Sequence, residues 1–222
     1  MKEIAGLIDH TALGSDADIN KIEQLCAEAR QYGFKSVFLQ PCRVELAVKQ
    51  MRGTGIQVGT VSGFPFGANN PETKAAEAAL AVGQGADEID MVINVGWIKD
   101  GLWAEVKSDM SRVVEASRHQ GGDRPIIVKV IIETCLLTDD EKRRAAMAVR
   151  EAGADFVKTS TGYMGSGANV DDVARLRAAV GPDFGVKASG GIRTLEQVKA
   201  LIEAGANRIG TSAGVAIMNE YV

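Results

Sequence analysis

Short β-branched or apolar runs alternate with longer amphipathic stretches eight times along this chain, and that alternation limits the possible fold more than any single motif does. The runs fall at residues 6–9, 36–39, 57–61, 88–93, 126–132, 155–159, 185–188 and 207–211. Between them, stretches such as 18–32, 71–82, 103–119, 139–151, 170–180 and 195–203 carry helical spacing. Eight strand-then-helix units predict an α/β chain closed into a TIM (β/α)8 barrel. The 222 residues fit that barrel as a single domain, 1–222, with no linker, low-complexity tract or charge block to divide them. Helix ends carry their own signals. Thr138 with Glu141, and Thr194 with Gln197, match capping boxes, Pro71 suits a first turn, and Gly153 and Gly205 are placed to stop helices.

An internal repeat sharpens the geometry. The joints beginning at Gly33, Gly85, Gly153 and Gly205 align as the entries to strands two, four, six and eight, and their sixth positions hold Phe38, Asp90, Lys158 and Gly210. One interior layer of such a barrel takes four side chains from alternate strands. These four therefore form one layer, with Asp90 and Lys158 facing each other across the interior. The alternative is that the sixth position points outward, which would bury an Asp and a Lys against helices without reward.

Three valine-lysine pairs end strand-like runs in the second half: Val128-Lys129, Val157-Lys158 and Val186-Lys187. Lysine is depleted in strands and almost never buried without a partner or a task. Three at one phase of the repeat suggest a lysine-lined cavity. A lysine is nucleophilic only when neutral, and burial beside a second cation favours the neutral form. Lys158 and Lys187, on adjacent strands, are thus a candidate pair in which one lowers the other's pKa so that it forms a Schiff base with a carbonyl, while Asp90 moves protons. Lys129 reads as a charge-setting or structural partner. The competing interpretation is a structural ion-pair cluster in which Asp9, Asp90 and Glu133 neutralise the lysines.

The turns after strands six to eight are built from small residues: Thr161 and Gly162, then Gly190 and Gly191, then Gly210, Thr211 and Ser212. Loops there commonly bind phosphate through exposed backbone N–H groups. A small phosphorylated substrate follows, although glycine in such turns is common for conformational reasons alone. Two histidines, His10 and His119, leave little from which to build a metal site, so neither a metal nor a cofactor is expected. His10, next to Asp9 at the end of the first strand, could line the mouth or be structural. The net charge of −4, with no basic tract, argues against nucleic-acid or membrane-surface partners. No apolar run is long enough to span a bilayer and no signal architecture opens the chain, so a cytoplasmic location is expected. Cys26, Cys42 and Cys135 suit reduced thiols and leave a lone catalytic cysteine open.

At this point the motifs are recognisable. Ile8-Asp9-His10-Thr11, the strand-four run from Glu88 to Asn94, Val128 to Thr134, Val157-Lys158-Thr159-Ser160-Thr161-Gly162, Val186 to Arg193, and Arg208 to Ser212 together resemble deoxyribose-phosphate aldolases nearly end to end. The resemblance implies a metal-free, Schiff-base aldolase. Its reaction would reversibly cleave 2-deoxy-D-ribose 5-phosphate to D-glyceraldehyde 3-phosphate and acetaldehyde in deoxyribonucleotide catabolism, and it would be a homodimer. It implies Lys158 as the imine-forming lysine, Lys187 as the lysine that tunes it, and Asp90 as proton donor and acceptor. Three positions depart from the family pattern: Phe38 stands where cysteine is usual, Gln40 where asparagine is, and Asn169 where threonine is frequent. Phe38 is expected to narrow the pocket and to alter aldehyde tolerance or substrate size. The rivals are another Schiff-base or transaldolase-like barrel, a non-catalytic phosphosugar-binding barrel, and a metal-dependent aldolase.

Overall fold

The computed structural model describes residues 2–221; Met1 and Val222, the two ends of the 1–222 unit, lie outside the described residues. In chain order the elements are α1 (Lys2–Ala5), β1 (Ile8–Ala12), α2 (Ile19–Tyr32), β2 (Ser36–Leu39), α3 (Val44–Met51), β3 (Gln57–Ser62), α4 (Pro71–Gly83), β4 (Glu88–Val92), α5 (Val95–Lys99), α6 (Trp103–Gly121), β5 (Ile127–Ile131), α7 (Asp139–Glu151), β6 (Phe156–Lys158), α8 (Val170–Val180), β7 (Gly185–Ser189), α9 (Leu195–Glu203), β8 (Arg208–Thr211) and α10 (Gly214–Glu220). The eight strands run parallel in sequence order, and β8 closes on β1. This is the TIM barrel that the alternation predicted.

Strand side chains alternate between faces, and here the two faces differ in kind. Val37, Val58, Ile89, Val128, Val130, Val157, Val186 and Ile209 join helix residues such as Ile22, Leu25, Val113 and Leu176 in one apolar cluster between strands and helices. The other face turns into the barrel and is largely polar and charged. Burying apolar area at roughly 25 cal/mol per Å² makes the outer layer the main source of stability. That layer is the scaffold on which the charged interior is carried.

Both expected capping boxes form: Thr138 and Thr194 accept from the backbone N–H of Glu141 and Gln197, whose side chains reach back to the caps. Asn169, the departure from threonine, caps α8 by accepting from Asp172 N. The first strand differs from expectation. It begins at Ile8, two residues later than expected, because Leu7 N bonds Ile4 O and closes the preceding helix. His10 is therefore mid-strand. Its ring faces away from Asp9, 4.8 Å from Phe34, with Nε2 2.7 Å from Glu28, so it serves packing and does not line the mouth.

Candidate active site

The interior is three staggered layers. The floor holds Ser36, Glu88, Phe156 and Arg208, and the upper layer holds Phe38, Asp90, Lys158 and Gly210. Asp9, Gly59, Lys129 and Lys187 lie between them. The register makes this explicit: each middle residue pairs with one floor and one upper residue. Asp9 pairs with Ser36 and Gly210, Gly59 with Glu88 and Phe38, Lys129 with Phe156 and Asp90, and Lys187 with Arg208 and Lys158. Gly59 is required by the large ring beside it, since a Cβ built there would run into Phe38; Gly185 stands in the same relation to Phe156.

Asp90 is the hub. Its Oδ2 accepts from Lys158 Nζ at 2.8 Å and Lys187 Nζ at 2.7 Å, and its Oδ1 from Lys129 Nζ at 3.0 Å. Lys187 also meets Asp9 at 2.5 Å, and Lys129 also meets Glu88. The Phe38 ring centroid lies 3.8 Å from Lys187 Nζ but 6.0 Å from Lys158 Nζ, so the cation–π attraction holds Lys187 more than Lys158.

These contacts set the protonation states. Burial would raise the Asp90 carboxyl, but Lys129, Lys158 and Lys187 outweigh it and hold the group far below the usual carboxylate range. Asp9 is depressed in the same way by Lys187, Lys129 and Arg208 against burial. Burial would lower Lys129, yet Asp90, Glu88 and Asp9 raise it. Lys158 goes the other way: burial first, with Lys187 adding to it and Asp90 opposing, pushes its ammonium down to about 8. Removal from water, more than the neighbouring lysine, is what favours the free amine.

Lys158 opens into a cavity of about 640 Å³. All seven residues expected to bind phosphate, Thr161, Gly162, Gly190, Gly191, Gly210, Thr211 and Ser212, line it together with Phe38, whereas Lys187 and Asp90 lie beneath. Among the described residues, the backbone N–H groups of Gly162, Gly190, Gly191 and Ser212 donate to no protein acceptor, which leaves them free for an anion. Gly162, Gly190 and Gly191 have φ of 86°, 94° and 73°, and a Cβ on Gly190 would lie 2.9 Å from Gly167 Cα, so glycine is required where these two loops meet.

Several contributors were not foreseen. Glu88 and Arg208 complete the ion cluster: Arg208 Nη1 donates to Asp9 at 2.7 Å and to Glu88 at 3.0 and 3.1 Å. They occupy the fourth position of the same repeat whose sixth position gave Asp90, and strand alternation puts positions four and six on one face. Glu133 does not neutralise the lysines. It adopts φ 53°, ψ 67° and accepts from Thr161 N at 3.1 Å and Thr161 Oγ1 at 2.5 Å, fixing the loop after β6. Tyr163 crosses the mouth, its hydroxyl donating to Leu13 O at 2.9 Å and its ring edge-on to Phe64 at 5.2 Å. Exposed Lys21 and Arg193 supply cations at the same cavity's rim. Cys135 stays a thiol: burial and Glu133 raise it, and Sγ donates to Met164 O at 2.9 Å.

The model of DeoC/LacD family aldolases matches residues 4–220. The chain belongs to that family. A Thermoanaerobacter relative (strain X514) named deoxyribose-phosphate aldolase is 54% identical over 98% of this chain and 96% of its own length. One of the same name from Streptococcus equi subsp. zooepidemicus is 55% identical over 97% and 95%. The chain is also similar to a solved Aeropyrum pernix structure described as a tetrameric deoxyribose phosphate aldolase, with a TM-score of 0.90 and 34% identity over 98% of this chain and 90% of that one. A Coccidioides immitis crystal structure aligns with a TM-score of 0.94 at 41% identity, covering 99% and 85%.

Proposed function

We propose that this protein reversibly cleaves 2-deoxy-D-ribose 5-phosphate to D-glyceraldehyde 3-phosphate and acetaldehyde through an imine on Lys158. The observation that carries the proposal is that, of the three interior lysines, Lys158 lines the cavity and has its pKa pushed down to about 8. Its neutral amine attacks C1 of the open-chain sugar. Asp90, 2.8 Å from Nζ, passes the ammonium proton of the adduct to the alkoxide to give the carbinolamine, and a second proton, taken up from solvent, lets the hydroxyl leave as water and the iminium form.

The C2–C3 bond then breaks. Its electron pair flows into the iminium to give an enamine, while the C3 hydroxyl gives its proton to solvent, balancing the one taken up at dehydration, and becomes the aldehyde of glyceraldehyde 3-phosphate. Protonation of the enamine at C2 and addition of water release acetaldehyde and free Lys158. The water lost on imine formation is regained at hydrolysis, so no co-reactant is consumed. Because Lys129 and Lys187 flank Asp90, that carboxyl holds a transferred proton only transiently. The phosphate lies at the free N–H groups of the glycine turns, with Arg193 at the rim.

A role in deoxyribonucleotide catabolism, a cytoplasmic location and a homodimeric state belong to the same proposal. Among the described residues no helix is long and apolar enough to cross a membrane. The test is to incubate the protein with 2-deoxyribose 5-phosphate and with other pentose and hexose phosphates and to identify products. Both named aldehydes arising from the first substrate in equal amounts is the expected result; cleavage of a different phosphosugar alone would assign another aldolase reaction.

A further inference from the structure

The barrel interior holds more positive than negative charge. Four cationic groups, Lys129, Lys158, Lys187 and Arg208, face three carboxylates, Asp9, Glu88 and Asp90, and every one of these side chains is nearly or fully buried. By strand, β1 contributes Asp9, β4 contributes Glu88 and Asp90, and β5 to β8 contribute one cation each. β2 and β3 contribute no charged side chain to the interior. Glu133, Cys135 and Tyr163, above this layer, are tied to the loop after β6 and the mouth by their own hydrogen bonds.

The partners are shared unequally. Arg208 cannot lose its proton and is bound to both Asp9 and Glu88. Lys129 touches Glu88 and Asp90, and Lys187 touches Asp9 and Asp90. Lys158 touches a single oxygen, Asp90 Oδ2, which Lys187 also uses. Once Arg208 is counted, two carboxylates' worth of negative charge remain for three lysines. An uncompensated charge in such surroundings is costly.

We infer that Arg208, which lies beneath Lys158 and does not touch it, sets the protonation of Lys158 by consuming one of the three carboxylates, so that the interior is electrically neutral only when one lysine is an amine, and Lys158, with the fewest carboxylate contacts, is that lysine. Lys187 alone could not produce this, since three lysines against three carboxylates balance with every lysine protonated. Arg208 is a positioning residue in this account, and the inference rests on Lys158 being the imine-forming lysine.

The experiment is the pH profile of kcat/KM for four variants, with borohydride trapping of acetaldehyde on Lys158 in the wild type. Arg208→Met should move the rising limb up by ~1 pH unit or more, lowering activity near neutrality ~10-fold and restoring it in alkali. Arg208→Lys, which keeps the charge, should leave the limb in place. Glu88→Gln should move it down, and Glu88→Gln combined with Arg208→Met should return it towards the wild-type position. The last two keep the test available if Arg208→Met alone fails to fold. An Arg208 with only a structural role would lower activity at every pH without moving the limb. A trapped Lys158 with a limb that stays put in Arg208→Met and Glu88→Gln would overturn this inference alone; no adduct on wild-type Lys158 would overturn the imine reading beneath it.

Discussion

Replacing Asp90 by Asn separates what the hub does for stability from what it does for chemistry. The substitution keeps the shape but removes the anion contacted by three lysines at 2.7 to 3.0 Å. Breaking a buried pair by deleting one partner costs about 3–5 kcal/mol. For a chain this long, each kcal/mol corresponds to about 2–4 °C in Tm, so the lower cost predicts a fall of roughly 6–12 °C. Lys158 can relieve part of the imbalance by releasing its proton. Asp90 is also the group that opposes deprotonation of Lys158, so its loss should carry the Lys158 ammonium below about 8, the opposite direction from a general loss of structure. Without the carboxylate, proton transfer should slow, and kcat should fall ~10²–10⁴-fold. The assay pairs steady-state turnover with the rate of borohydride-trapped imine against pH. Trapping should persist to lower pH while turnover collapses. Turnover within ~10-fold of wild type, or a trapping limb that moves up, would refute the assignment of Asp90.

Three further outcomes follow from the same geometry. Asp9 and Asp90 are depressed in the fold relative to ~3.9 in the unfolded chain, so their contribution to stability is full above that value and is lost as pH falls through it towards the folded pKa. Urea midpoints measured from pH 5 to 2 should therefore fall more steeply in wild type than in Asp90→Asn. Phe38→Cys should empty the space between Gly59 and Lys187 and put a thiol on the cavity floor, giving faster inactivation by acetaldehyde and a wider aldehyde range; unchanged values for both would defeat the role given to Phe38. Gly190→Ala, at φ 94° and against Gly167, should raise KM for the phosphosugar ~10-fold or more while acetaldehyde still traps on Lys158, since it disturbs the anion-binding turn and leaves the lysine layer intact.

Much of this was legible because two periodicities are strong here. The strand period of two, read through the four glycine joints, places Phe38, Asp90, Lys158 and Gly210 inside the barrel from the sequence alone. Applied one step further, it would have placed Glu88 and Arg208 as well, at the fourth position of the same joints. A glutamate and an arginine at a strand entry read locally as solvent-facing charges, which hides their place in the interior. Short helices such as α3 (Val44–Met51) and α5 (Val95–Lys99) contain too few turns for a helical period to stand out. His10 faces outward because it alternates with the inward-facing Asp9, and the later start of β1 left it mid-strand instead of at the strand's end. Glu133 and Tyr163 act across loops, binding Thr161 and Leu13 far away in sequence, and no local pattern announces such contacts.

The central claim is that Lys158 forms the imine. Borohydride reduction of the protein in the presence of acetaldehyde or 2-deoxyribose 5-phosphate, followed by peptide mass mapping and repeated on Lys158→Ala, tests it most directly. A reduced adduct on the Lys158 peptide that vanishes in the variant is predicted. An adduct on Lys187 or Lys129, or on no lysine at all, would contradict the account.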